Sequence, residues 1–163
     1  SAPFPKLVAF AQSIIGKEIR EQSMEQEGKI PDMIVGCVGG GSNFAGAIYE
    51  FLDEPNVKKI GVEAAETAAL TNGTPGIMQG MKTYMLQTDD GAKSLGGMSL
   101  GAGITYFSVG PMASAAEIIF RQAKNKPKDY IICLSLCGRG EKDLDTIQKF
   151  RGQDFEWKVK ENI

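Results

Sequence analysis

The sequence predicts an α/β fold: three layers, α/β/α, around a short and mostly parallel sheet. Three observations carry that expectation. Apolar runs without polar alternation occur at 32–38, within 56–64 and at 129–136. Strands buried on both faces read this way, because neither face meets water. Helically patterned segments separate these runs, and such alternation is how a parallel sheet acquires cover on both sides. Finally, glycine turns follow two of the runs: Gly39-Gly40-Gly41 and Gly138-Arg139-Gly140. At the carboxyl ends of parallel strands, such turns lie where ligands bind in this architecture.

The elements follow in order. Residues 1–5 are an irregular lead-in with two prolines. Residues 6–27 read as a helix, with Leu7, Val8, Phe10, Ala11, Ile14, Ile15 and Ile19 marking one face and Gly28 ending it. The first strand is 32–38. A helix over 42–52 carries Phe44, Ala45, Ala47, Ile48 and Phe51 at helical spacing. The second strand lies within 56–64. From 66 to 97 the chain reads as loop, with Asn72-Gly73-Thr74-Pro75-Gly76 as a strong turn signal. A short strand is expected in 101–109. A helix over 112–124 directs Ala116, Ile119, Phe120 and Ala123 inward. The third clear strand is 129–136, and a short helix over 142–150 follows. Residues 1–150 are thus expected to form one α/β domain, and 151–163 a polar tail. There is no internal repeat.

Composition narrows the function classes. At 163 residues the chain can bury one core, and its 42% hydrophobic and 23% charged residues are those of a globular protein. A net charge of −2 makes no electrostatic case for nucleic acid or an anionic membrane surface. No apolar stretch approaches the ~20 residues of a membrane-spanning helix, and no leader pattern is visible. There is no histidine. Ser-His-Asp, Cys-His and histidine-metal chemistry are therefore excluded within this chain. Cys37, Cys133 and Cys137 are odd in number, and two sit in apolar runs. That usage suits buried thiols in a reducing intracellular compartment, cytoplasm or organelle matrix, better than a disulfide framework. Cys133-x-x-x-Cys137 lacks the further ligands a zinc site needs, so no metal residue is assigned.

The chemically informative segment is Val38-Gly39-Gly40-Gly41-Ser42-Asn43. A strand breaks into three glycines and restarts as a helix. Glycine removes the Cβ that blocks close approach of a ligand to backbone. The first N–H groups of the helix lack intrahelical partners, and the helix dipole favours negative charge there. Ser42 can cap the helix and add a hydroxyl donor. Together these features describe a phosphate cradle. A tight turn without a ligand is the competing reading. The segment lacks the Gly-Lys-Ser/Thr ending of a nucleotide P-loop and the G-x-G-x-x-G of a dinucleotide fold, although Glu63 lies 20 residues after Asn43. Glu63 has two readings: a carboxylate near a ligand, or a cap at a strand end. Lys82 reads as a surface lysine.

Longer motifs identify a family resemblance. They are Pro3-Phe4-Pro5, Gln12-Ser13-Ile14-Ile15-Gly16-Lys17-Glu18, Cys37-Val38-Gly39-Gly40-Gly41-Ser42-Asn43 and Ile60-Gly61-Val62-Glu63-Ala64. Downstream come Gly80-Met81-Lys82-Thr83, Gln87-Thr88-Asp89-Asp90-Gly91, Ser108-Val109-Gly110-Pro111 and Gly138-Arg139-Gly140-Glu141-Lys142-Asp143. In this order they resemble the C-terminal part of tryptophan synthase β chains, pyridoxal-phosphate enzymes of fold type II. The resemblance implies that Gly39, Gly40, Gly41, Ser42 and Asn43 hold the cofactor phosphate. Cys137 occupies the place of the serine that meets the pyridine nitrogen, and a thiol is a much weaker hydrogen-bonding group. The resemblance also implies a monovalent-cation site formed by main-chain carbonyls near the glycine turn and near the segment Tyr106-Phe107-Ser108.

Departures from the family bear on activity. The family's N-terminal domain, with its Schiff-base lysine, has no counterpart, nor has a segment following Pro111. Ala2 stands where the family has histidine, and Thr105 where it has aspartate. No catalytic residue is therefore assigned. The expectation is a reduced domain, not catalytic alone, that keeps a phosphate-binding turn. The alternatives are a non-catalytic structural subunit of a larger assembly and one chain of a split enzyme joining serine and indole. Either alternative expects another chain, or self-association, over apolar surface that a lost domain once covered.

Overall fold

The computed structural model describes residues 3–63, 68–78, 81–88, 119 and 121–136. Its centre is a parallel sheet of three strands in the order β2-β1-β5. These are β1 (Met33–Cys37), β2 (Lys58–Val62) and β5 (Ile132–Ser135). Strand β1 lies in the middle, pairing Val35 with Ile60 on one side and Leu134 on the other. All five of its residues are buried, as its uninterrupted apolar run requires.

The two sides of the sheet are separate cores. Ile34 packs with Ala47, Phe51 and Val57, joined by Ile15, Ile19, Ile48 and Cys133. This side is covered by α1 (Phe4–Glu27) and α2 (Ser42–Tyr49). On the other side Met33, Val35, Cys37 and Val62 pack with Ile60, Tyr130, Ile132, Leu134 and Ile119. Ile119 and residues 121–123 are helical. The alternation along β1 follows from the pleat, which sends successive side chains to opposite faces. Fully burying a side chain such as Phe51 contributes roughly 1.5–3 kcal/mol.

Local chemistry explains the boundaries of α1. Pro5 is tolerated in the first turn, where its missing N–H has no intrahelical partner to lose. Gly28 ends the helix in the left-handed region at φ 72, and its N–H donates to the Met24 carbonyl at 3.1 Å. The inward face differs from the one its apolar pattern suggests. Leu7, Phe10 and Ile14 are exposed, Phe10 at 77%, whereas Gly16 is buried. The reason is the crossing with α2. A Cβ on Gly46 would stand 2.3 Å from the Gln12 carbonyl oxygen, and one on Gly16 would stand 2.7 Å from the Gly46 carbonyl oxygen. The helices meet backbone to backbone, and that contact sets the rotation of α1. Arg20 fastens the far end: it donates to the Glu50 carbonyl and the Glu54 carboxylate, and lies over the Phe51 ring.

Asp32 ties the start of β1 to that of β5. Its carboxylate accepts from the Ile131 N–H at 2.8 Å and from Lys29 Nζ at 3.0 Å. The Ile131 hydrogen bond, opposed by desolvation and assisted by Lys29, holds this carboxyl below the usual aspartate range.

Part of the stretch expected to be loop is ordered. It contains α3 (Ala69–Asn72), β3 (Thr74–Met78) and β4 (Met81–Met85), the two strands forming an antiparallel pair. Pro75 and Gly76 gave this segment its turn signal. A two-stranded sheet has only edge strands, where proline is tolerated. Gln87 Nε2 adds hydrogen bonds to Thr74 Oγ1 and the Pro75 carbonyl. Ala123 is exposed rather than inward. Ala116, Phe120, the 101–109 strand, the 142–150 helix and the 151–163 tail lie outside the described residues. Among the described residues no helix is long and apolar enough to cross a membrane.

Candidate functional site

The turn 38–41 leaves the carboxyl end of β1 and leads directly into α2. Val38 donates its N–H to the Val62 carbonyl at 2.8 Å, which prolongs the β1–β2 pairing to the brink of the glycines. Gly41 then reverses the chain at φ 85, a left-handed conformation that L side chains rarely adopt. The first helical hydrogen bond runs from Ala45 N–H to the Gly41 carbonyl at 2.9 Å. The N–H groups of Ser42, Asn43 and Phe44 precede it, so helix geometry gives them no intrahelical acceptor.

Ser42 is not the capping residue. Gly41 occupies the N-cap position and no side chain caps the helix. With its φ already helical, Ser42 has left the extended geometry from which an N-cap side chain reaches back. Its side chain is exposed. Its hydroxyl therefore competes for none of the first-turn N–H groups.

A row of small residues seats the start of α2. Register places Gly61, Gly36 and Ser135 side by side across the three strands. The Phe44 ring lies over the two glycines. A Cβ on Gly36 would stand 2.8 Å from Phe44 Cδ2, and one on Gly61 would stand 3.1 Å from Phe44 Cε1. Beside the ring, Ser135 Oγ donates to Asn43 Oδ1 at 3.1 Å. Sequence reasoning missed Gly36, Gly61 and Ser135. A serine inside the apolar run 131–136 was the available signal.

The turn fits a phosphate on two counts. Among the described residues, Cβ atoms placed on Gly40 and Gly41 meet nothing within 4 Å, so these residues leave room beside the backbone. The donors around it are main-chain N–H groups, an exposed hydroxyl and the Asn43 amide, which suit an anion's oxygens. Residues 38–44 contain no acidic side chain to oppose one. Cys137 and the turn at 138–140 lie outside the described residues. Among the described residues no group of three histidine, cysteine or acidic side chains could hold a metal ion.

The remaining candidates divide clearly. Glu63 caps α3: the Leu70 and Thr71 N–H groups donate to its carboxylate at 2.9 and 3.0 Å, and Thr71 Oγ1 donates at 2.7 Å. That arrangement neutralises unpaired first-turn donors. Lys82 is exposed on β4, opposite Ile77. Cys133 is half-buried on the α1–α2 side, and burial pushes its thiol pKa up.

No protein-family model matches the chain. Curated relatives do. The chain is 36% identical over 205 residues to the tryptophan synthase β chain of Dinoroseobacter shibae, covering 96% of this chain and 50% of that one. It is 38% identical over 201 residues to that of Ruegeria pomeroyi, covering 94% and 48%. Identity to the protein of Allorhizobium ampelinum is 36% over 197 residues, covering 92% and 48%. The chain spans about half the length of the curated relatives it matches. The first match extends over 205 residues against 163 in this chain, so that relative carries a few tens of residues without counterpart here.

Proposed function

We propose that this chain, a homologue of tryptophan synthase β chains, is a pyridoxal-phosphate-binding module that is not catalytic by itself. Gly39, Gly40, Gly41, Ser42 and Asn43 hold the cofactor phosphate through main-chain and side-chain donors, and Cys137 takes the position beside the pyridine nitrogen. The observation that carries this reading is the open glycine turn on a parallel sheet. No described residue lies within 4 Å of where a Cβ on Gly40 or Gly41 would stand, and the first turn of α2 supplies N–H groups. Bound pyridoxal phosphate supplies an electron sink. The chain's own part is to hold and orient it.

Catalysis of β-replacement, serine with indole, needs a lysine that this reading assigns to no residue here. Purified chain given cofactor, serine and indole is expected to make no tryptophan. Phosphorus NMR of pyridoxal phosphate tests the binding. Its resonance should broaden or shift when the chain is added and recover with excess inorganic phosphate. Pyridoxal, which lacks the phosphate, should not compete. An unchanged resonance at saturating protein counts against the reading.

A second role is supported by a separate observation. Leu7, Phe10 and Ile14 recur along α1 at three- and four-residue spacing and are all exposed, a stripe of the kind that other protein surface covers. We infer an assembly role, in a reducing compartment, through another chain or a second copy. Residues 1–150 act in it as one domain. Analytical ultracentrifugation should show self-association, or complex formation with a chain supplying the relatives' other half. A strict monomer in both cases argues for the binding role alone.

A further inference from the structure

Ser135 is buried, at 9% exposure, yet its hydroxyl belongs neither to the strand ladder nor to the apolar core. It donates to Asn43 Oδ1 at 3.1 Å. In this arrangement the amide oxygen, which carries only lone pairs, accepts and the serine gives the proton; the same hydroxyl can also accept from the NH2 of a turned amide. With Oδ1 held against β5, the planar amide places its NH2 group on the opposite side. No other hydrogen bond of the Asn43 side chain is formed among the described residues. Among the described residues the donor end of the amide, at the first turn of α2, meets no acceptor.

We propose that Ser135 is a positioning residue for anion binding: it holds the Asn43 side chain at the first turn of α2, and a bound phosphate, which needs a donor, takes the NH2 while Oδ1 accepts from Ser135. This rests on the binding role proposed for the glycine turn. Without this partner the Asn43 side chain is free to adopt rotamers that aim neither end of the amide at a phosphate. The latch is also part of the sheet. Ser135 stands in the row with Gly36 and Gly61 that seats Phe44, so β5 positions Asn43 and β1–β2 position the residue after it.

The test is a double-mutant cycle on the full chain, with pyridoxal phosphate as the titrant and isothermal calorimetry as the readout. Ser135→Ala should weaken binding about fivefold, roughly the worth of one hydrogen bond. Asn43→Ala should weaken it at least as much. The double variant should be no weaker than Asn43→Ala, because the serine acts only through the asparagine. Ser135→Cys fills nearly the same space with a poorer donor and should also weaken binding. Asn43→Asp keeps the acceptor for Ser135 but loses the donor. It should retain its thermal midpoint while losing affinity. Additive losses in the cycle, or wild-type affinity in both Ser135 variants, overturn the latch and leave the binding role standing. Failure of the wild-type chain to bind overturns the binding role itself.

Discussion

Gly46 and Gly40 are the same residue in opposite surroundings, six positions apart. At Gly46 the missing Cβ is replaced by protein: the Gln12 carbonyl oxygen lies 2.3 Å from where that atom would stand. At Gly40 none of the described residues comes within 4 Å of that position. The first absence lets two helices cross backbone to backbone. The second leaves main chain that no described residue approaches within 4 Å of where a Cβ would stand. The difference teaches how to read a glycine-rich segment. A glycine filled by the fold is architectural. A glycine that meets none of the described residues, next to first-turn N–H groups without an intrahelical acceptor, is where the proposed cofactor binding makes its claim.

The sharpest way to break this distinction is at the crossing. Gly46→Ala gains helix propensity worth ~1 kcal/mol, yet forces α1 and α2 apart. It should destabilise the chain by about 3 kcal/mol through overpacking, read as a lowered urea midpoint at unchanged slope. A neutral result would mean that the crossing is loose. Gly36→Ala should cost less, about 1–2 kcal/mol, because its nearest neighbour is the edge of the Phe44 ring rather than backbone. Since Phe44 seats α2, this variant should also weaken cofactor binding. Retained affinity would uncouple the seat from the turn.

Asp32 offers a pH-dependent version of the same question, in a region that owes nothing to a ligand. Its folded pKa is lowered from 3.8, chiefly by the Ile131 hydrogen bond. Its contribution is therefore complete above the unfolded value and is lost as pH falls through the depressed folded value. Asp32→Asn should flatten the decline in stability below about pH 4 and cost about 1 kcal/mol at neutral pH, as followed by urea unfolding across pH. Equal acid sensitivity in variant and wild type would contradict the tie between β1 and β5. The smallest effect on stability is expected at the turn: Gly40→Ala should move the unfolding midpoint by less than about 0.5 kcal/mol, while lowering affinity for pyridoxal phosphate by tenfold or more.

The same contrast explains what could be read from the sequence. Strand β1 was legible because burial on both faces leaves an unbroken apolar run. The glycine turn was legible because its chemistry is local. The inward face of α1 was not, since Gly16 and Gly46 meet only after folding and that contact, not the apolar pattern, decides the rotation. The pair β3–β4 was hidden by Pro75 and Gly76, which give a turn signal but are tolerated on edge strands. The seat of Gly36, Gly61 and Ser135 depends on register between three strands, which no single segment contains. Ser42 shows the limit of a local rule: a serine at the start of a helix can cap it, but Gly41 holds that position.

The most direct test of the central claim compares wild type with Gly40→Asp in a calorimetric titration with pyridoxal phosphate, alongside their thermal midpoints. The substitution places a negative charge at the turn, and its Cβ meets none of the described residues within 4 Å. The account predicts saturable binding by wild type, no binding by Gly40→Asp, and closely similar midpoints. Absence of saturable binding by wild type, or equal binding by both, would contradict it and make the turn architecture alone.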